Sequence, residues 1–258
     1  MSKRLVSGTA GAEGRNLFIH PGNSSMVEMS YGRIRLNRNV PEVKFANEGQ
    51  ETGLVCLSGK AMVTAGDETF TLLPKDALYI SRGLPIAVQT ESEADLVECS
   101  AIVEGDYPVQ FVPYAEVKAN EKLHFVAGNE SSKRQIDIML GTNVKAGKLV
   151  VGVTSSLPGN WTSWPPHEHA TMLEEIYLFF DMPAPAFGLQ LVYTDGITAA
   201  EVEVVRDGDA VLLPEGYHPN VAIPGSALNF VWMMAAHREV VDRQWGVVKV
   251  DPRYAQAS

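Results

Sequence analysis

Cysteine, histidine, basic runs and helical signals are all scarce in this chain of 258 residues. Two cysteines, Cys56 and Cys99, are too few for a disulfide scaffold. Basic residues are outnumbered, 21 Lys+Arg against 31 Asp+Glu, for a net charge of −10 and a pI near 5.1. No basic run exceeds two residues, as at Lys133-Arg134, which argues against nucleic acid or an anionic membrane as partner. A small anionic substrate remains admissible, because one or two buried Arg or Lys side chains can hold it locally. No long apolar run is present: residues 221–236 come nearest, are broken by Pro224, Gly225 and Asn229, and fall short of the roughly 20 residues a span needs. After Met1-Ser2-Lys3-Arg4 the chain turns polar and Gly-rich rather than apolar, so a soluble, cytoplasmic protein is expected.

What is present is ordinary globular composition, 45% hydrophobic and 20% charged. Short runs rich in Val, Leu, Ile, Tyr and Phe recur between Gly, Pro, Asp and Asn, at residues 54–57, 61–64, 77–80, 149–153, 176–180, 189–193, 201–205, 210–213 and 228–233. Strands at this spacing predict an all-β sandwich or barrel, and 22 Gly with 15 Pro supply its turns.

The chain also contains itself twice. Lys75-Asp76-Ala77-Leu78-Tyr79-Ile80-Ser81-Arg82-Gly83 overlies Gly208-Asp209-Ala210-Val211-Leu212-Leu213-Pro214-Glu215-Gly216 at an offset of 133 residues, which Val88 and Val221 keep. Tandem duplication accounts for the length better than one large β-domain does. The expected units are residues 1–115 and 116–258, joined near the polar stretch Lys118-Ala119-Asn120-Glu121-Lys122.

Four of the six histidines fall in the second unit's richest region: His167, His169, His218 and His237. Strand side chains alternate, so His167 and His169 in Pro165-Pro166-His167-Glu168-His169 project to one side and Glu168 to the other. Glu174 and Glu175 open the next strand on opposite faces. Glu175 shares its face with Tyr177 and Phe179 and is the expected ligand, which leaves Glu174 solvated. His218 enters after a Gly-bearing turn. A His-x-His pair alone is often a surface or core feature. With a carboxylate and a third imidazole added, His167, His169, Glu175 and His218 read as ligands of one divalent ion such as Zn, Mn or Fe. Four protein ligands leave two octahedral positions, enough for a bidentate hydroxy-carbonyl.

These residues resemble the cupin superfamily, whose motifs have the forms G-x5-H-x-H-x3–4-E and G-x5-P-x-G-x2-H. Gly208-x5-Pro214-x-Gly216-x-His218 follows the second with one residue fewer. The first runs five residues from His169 to Glu175, and Glu174 would restore the spacing of four. Within the superfamily, Leu157-Pro158-Gly159-Asn160-Trp161-Thr162-Ser163-Trp164-Pro165-Pro166-His167-Glu168-His169, the run at 57–66 and Gly216-Tyr217-His218-Pro219 are similar to 5-deoxy-glucuronate isomerases. The run His167–Asp181 looks more like 5-keto-4-deoxyuronate isomerases.

The resemblance, which covers nearly the whole chain, implies two tandem jelly-roll barrels (a bicupin). It implies a metal-dependent aldose–ketose isomerase of a deoxy uronic acid, with one metal per chain in the second barrel and a homo-oligomeric assembly. An Fe(II) dioxygenase and a non-catalytic sugar-binding bicupin are the competing classes. Tyr177 is the expected acid or hydrogen-bond donor, and Gln190 is expected to orient a substrate hydroxyl. His237 and Arg243 are expected to reach over the barrel mouth to a uronate carboxylate. Trp161 and Trp164 are expected to pack the wall, and Met233 and Met234 to fill core.

Overall fold

The computed structural model describes residues 4–255, and in them the ordered elements are nearly all strands, relieved by one short α-helix, Tyr114–Lys118, and a 3-10 turn, Ile197–Ala199. Each apolar run picked out above lies in a strand. Residues 176–180 fall almost wholly in Leu173–Phe179, for example, and residues 228–233 in Asn229–Ala236. The polar stretch at 118–122 is exposed, but Val117 and Leu123 on either side are buried, so the chain is pinned there.

Two large antiparallel sheets dominate. One runs in the spatial order Gln110–Val112, Ala77–Ile80, Gln50–Gly59, Ala94–Ile102, Met29–Leu36, Gly14–Ile19. The other runs Leu5–Val6, Ala210–Leu213, Leu173–Phe179, Asn229–Ala236, Leu149–Ser156, Arg134–Leu140, with His124–Ala127 added at its far edge. Position by position the two orders correspond. Each half adds a four-stranded sheet, again in matching order: Glu42–Ala46, Pro85–Gln89, Ala61–Ala65, Glu68–Leu72 in the first, and Trp161–Thr162, Asn220–Ala222, Gly188–Val192, Glu201–Val205 in the second.

One edge strand crosses over. Leu5–Val6 pairs with Ala210–Leu213 in the second half, whereas Gln110–Val112 stays with Ala77–Ile80 in the first. The turns found by sequence comparison match in detail. Asp76 accepts a hydrogen bond from Leu73 N–H at 2.8 Å and Asp209 one from Arg206 N–H at 2.9 Å. Before them, Lys75 and Gly208 share a left-handed backbone, φ 70° and 78°. That conformation costs glycine little and lysine more, so the first copy carries the strain.

A second exchange locks the halves. Glu174 is not solvated; it is 1% exposed and accepts the backbone N–H groups of Val27, Glu28 and Met29 at 2.9, 2.8 and 2.7 Å. In mirror fashion Glu51 accepts those of Gly147, Lys148 and Leu149 at 2.8, 2.7 and 2.7 Å. Each carboxylate thus satisfies three donors at the start of the other half's corresponding strand, Met29–Leu36 or Leu149–Ser156. Glu174 lies on the face of its strand opposite that of Glu175. That face packs against the other half rather than water, and every residue of Leu173–Phe179 is buried.

One core cluster joins the halves, with Tyr79, Val97 and Cys99 meeting Leu140, Leu149, Ile176 and Leu178. A separate cluster, including Ile34, Leu54, Val63, Leu78, Ile80 and Leu96, fills the space between the two sheets of the first half. Both cysteines are buried and free. No helix among the described residues is long and apolar enough to cross a membrane.

Candidate metal centre

Two strands and two loops deliver the cluster. His167 lies in the short strand His167–Glu168, which pairs with Lys249–Val250, while Glu168 points away to bond Lys249 at 2.8 Å. A tight loop then returns the chain, as Met172 and Leu173 both donate backbone N–H bonds to the carbonyl of His169 at 2.9 Å. That closure sets His169 beside Glu175, two residues into Leu173–Phe179. His218 arrives from a turn at Gly216, whose φ of 102° and whose approach to Tyr193 O leave no room for a side chain.

Each imidazole is oriented by its outer nitrogen. His167 Nδ1 donates to Pro165 O at 2.9 Å, His169 Nδ1 to Leu173 O at 3.0 Å, and His218 Nδ1 to Gly216 O at 2.8 Å. A backbone carbonyl only accepts, so the three Nε2 atoms are turned inward, as metal-binding histidines require. His169 Nε2 lies 3.1 Å and His218 Nε2 3.3 Å from Glu175 Oε2. The ligand atoms of His169, Glu175 and His218 all fall within 4.8 Å of one another. His167 is not within that set but borders it, its ring centre 5.0 Å from that of His218 and 6.4 Å from that of His169.

Two fully buried atoms, Glu175 Oε1 and His218 Nε2, have no hydrogen-bond partner. Buried polar groups without partners are costly, by roughly 1–3 kcal/mol each. Here both are lone-pair donors facing each other's neighbours, and a cation between them removes the cost. Charge supports the same reading. Burial alone would raise the Glu175 carboxyl, but the adjacent His169 and His218 hold it down at about 2, so it stands as an anion. Burial, followed by His218, pushes His167 down to about 3 and so keeps it a neutral ligand. The residues present therefore fit a divalent metal ion.

The cluster closes one end of a 320 Å³ cavity walled by Phe125, Ile136, Trp164, Phe230, Trp232 and Trp245 and roofed by residues 245–250. Tyr177 lines it too, hydrogen-bonded through its hydroxyl to Ser163 Oγ at 2.9 Å. Burial, then Glu175, raises this phenol well above its usual value and keeps its proton on.

Gln190 does not line the cavity. It is fully buried behind His218, donating to His218 O at 2.8 Å and accepting from Asn220 Nδ2 at 2.9 Å. Its amide, through these bonds, steadies the loop that carries His218. The chain's end does cover the mouth, but neither His237 nor Arg243 takes part. His237 Nε2 bonds Ala170 O, and Arg243 is spent on the carbonyls of Leu149, Val144 and Gly141. The sequence reading missed Arg134, the one arginine lining the cavity among the described residues. Of the two tryptophans, Trp164 lines it and Trp161 packs behind with ring centres 5.2 Å apart, while Met233 is core and Met234 reaches the wall.

Fold and site together define a nearly all-β protein with a buried histidine–glutamate cluster that fits a metal ion. The chain belongs to the KduI/IolB family, which its residues 5–256 match. It is 32% identical over 219 residues to the 5-deoxy-glucuronate isomerase of Geobacillus thermodenitrificans, covering 76% of this chain and 78% of that one. It is 30% identical over 224 residues to the enzyme of the same name from Lacticaseibacillus casei, covering 78% and 80%. Among solved structures, an IolB-like protein from Salmonella typhimurium LT2 superposes with a TM-score of 0.87 at 26% identity over 98% of both chains. Bacillus subtilis oxalate decarboxylase shares the fold alone, with a TM-score of 0.65 at 16% identity, covering 90% of this chain and 77% of that one.

Proposed function

We propose that the chain is a metal-dependent isomerase that interconverts an aldose and a ketose form of a deoxy uronic acid, 5-deoxy-glucuronate in the first instance. The relatives' names supply the substrate, and the unpartnered Glu175 Oε1 and His218 Nε2 within a ring of inward-turned imidazoles supply the chemistry. His167, His169, Glu175 and His218 hold one divalent ion, of the Zn, Mn or Fe kind. When bound, that ion stabilises, as a Lewis acid, the negative oxygen that develops as a proton moves between adjacent carbons.

The chain's own residues do the rest. Three backbone carbonyls keep the histidines aimed without adjustment during turnover. Tyr177, held protonated, offers a hydrogen bond or proton from the cavity wall beside Glu175. The aromatic wall and the 245–250 roof exclude water from the reacting carbons.

The matching sheet orders, the matched turns and the reciprocal glutamates support two tandem jelly-roll units, residues 1–115 and 116–258, with the Leu5–Val6 strand of the first added to the edge of the second. Only the second carries the metal. The register equates Glu175 with Thr52 and Tyr177 with Leu54, and the 133-residue offset puts Pro85 at the place of His218.

The test is proton NMR of 5-deoxy-glucuronate, and separately of 5-keto-4-deoxyuronate, incubated with metal-loaded protein under nitrogen. Conversion of the first to its ketose without oxygen is expected. Conversion of the second alone moves the substrate, and conversion of neither overturns the isomerase.

A further inference from the structure

The ligand cluster accounts for part of the cavity lining; Arg134, on the same lining, is an unexplained charge. Arg134 begins the strand Arg134–Leu140, and alternation puts it on the same face as Ile136, also on the cavity wall. Its Nη1 donates to Ser132 O at 3.0 Å and its Nη2 to Trp164 O at 2.9 Å. No carboxylate is bonded to it. Arg15, Arg33, Arg82, Arg238 and Arg253, by contrast, each bond an acid at 2.7 or 2.8 Å. Burial lowers Arg134 below the usual arginine value, so it bears a desolvation cost that no anion offsets.

The two carbonyls that it does bond fix its position. Trp164 O ties it to the segment that leads through Pro165 and Pro166 into His167, so the guanidinium is braced on the wall that carries a metal ligand. It also borders a second, outer cleft with Gly128, Asn129, Ser132, Trp164 and Pro165, which places it where the cavity meets the surface. Two of its five N–H groups are used, and three remain. Glu175 is the only carboxylate lining the cavity among the described residues, and it is committed to the histidines.

We propose that Arg134 is the residue that recognises the substrate's carboxylate, fixing which end of a uronic acid lies at the mouth and which meets the metal ligands. This rests on the reading of the cavity as a sugar-acid site. It answers how a chain of net charge −10 admits an anion: one guanidinium, already braced and partly desolvated, supplies the attraction locally. It also gives the site its selectivity. A neutral sugar leaves Arg134 without an anion, and a uronate does not.

The experiment compares binding of D-glucuronate, a stable uronate, with that of uncharged D-glucose to metal-loaded wild type, Arg134→Gln and Arg134→Lys, by calorimetry. Metal content and thermal midpoint are measured alongside. Wild type is expected to prefer glucuronate. R134Q should weaken glucuronate on the order of tenfold to a hundredfold with glucose unchanged, and R134K should recover part of the loss, keeping charge but not the fork. A wild type without preference, or an R134Q that binds glucuronate within about twofold of wild type, overturns the assignment. So does equal loss of both sugars in R134Q and R134K, which would mark a purely structural wall. If charge-selective binding falls as expected but 5-deoxy-glucuronate is not turned over, the reaction is wrong and Arg134 stands. If turnover proceeds and R134Q leaves KM unmoved, Arg134 is wrong and the reaction stands.

Discussion

His167 differs from the other ligands in how its proton is held. In the folded chain it is pushed to about 3, against an ordinary value near 6.5. Above pH 6.5 the imidazole is neutral in both states and adds no pH dependence to stability. As the pH falls below that, the unfolded chain takes up a proton that the folded chain refuses, so the folded state loses ground down to about pH 3. The denaturation midpoint of metal-free wild type should therefore drop more between pH 7.5 and 5 than that of His167→Gln. Equal drops in urea titrations would contradict the buried, neutral His167. At this scale the proposed ligand set was legible because spacing alone puts His167 and His169 on one side and Glu168 on the other. Arg134 was not, since nothing in the sequence separates a lone arginine at a strand start from a solvated one. Its meaning comes from Trp164 O and the cavity, both supplied by distant chain. Arg243 and His237 misled for the converse reason, because backbone carbonyls absorb their donors.

Among the strands, Leu173–Phe179 does two jobs with adjacent residues. Glu175 faces the cavity and Glu174 faces the other half. Substituting each by glutamine should separate the jobs. Glu175→Gln should lose metal and activity while its unfolding midpoint in the metal-free state changes little. Glu174→Gln should retain the metal whenever folded yet lose about 3 kcal/mol of stability, because its NH2 group faces three backbone donors. Glu51→Gln should resemble Glu174→Gln and not Glu175→Gln. Metal analysis with urea denaturation decides it, and a Glu174→Gln that loses metal while fully folded contradicts the division. The strands were readable from their apolar runs and turn residues. The carboxylate exchange was not, because alternation tells which side a residue takes and not what covers that side. In a strand buried on both faces, an acid opposite the cavity looks the same on paper as a solvated one.

For the molecule as a whole, the two proposed units share one sheet order and differ in content. The space that becomes a cavity in the second half is filled in the first by Ile34, Leu54, Val63, Leu78, Ile80 and Leu96. Leu54 stands at the place of Tyr177, and Thr52, which accepts a hydrogen bond from Asn47 at 2.8 Å, at that of Glu175. The first half contributes stability instead, through its shared core, the edge strand Leu5–Val6 that it lends and Glu51. The internal repeat was visible because turn chemistry around Asp76 and Asp209 tolerates little change. The crossing of Leu5–Val6 to the other half was hidden, since a two-residue strand carries no pattern of its own. The most direct test is a crystal of metal-loaded protein measured at the absorption edge of its metal. One anomalous peak per chain is expected, in contact with His167, His169, Glu175 and His218. A peak elsewhere, a second peak in the first half, or none in a crystal of active protein would contradict it.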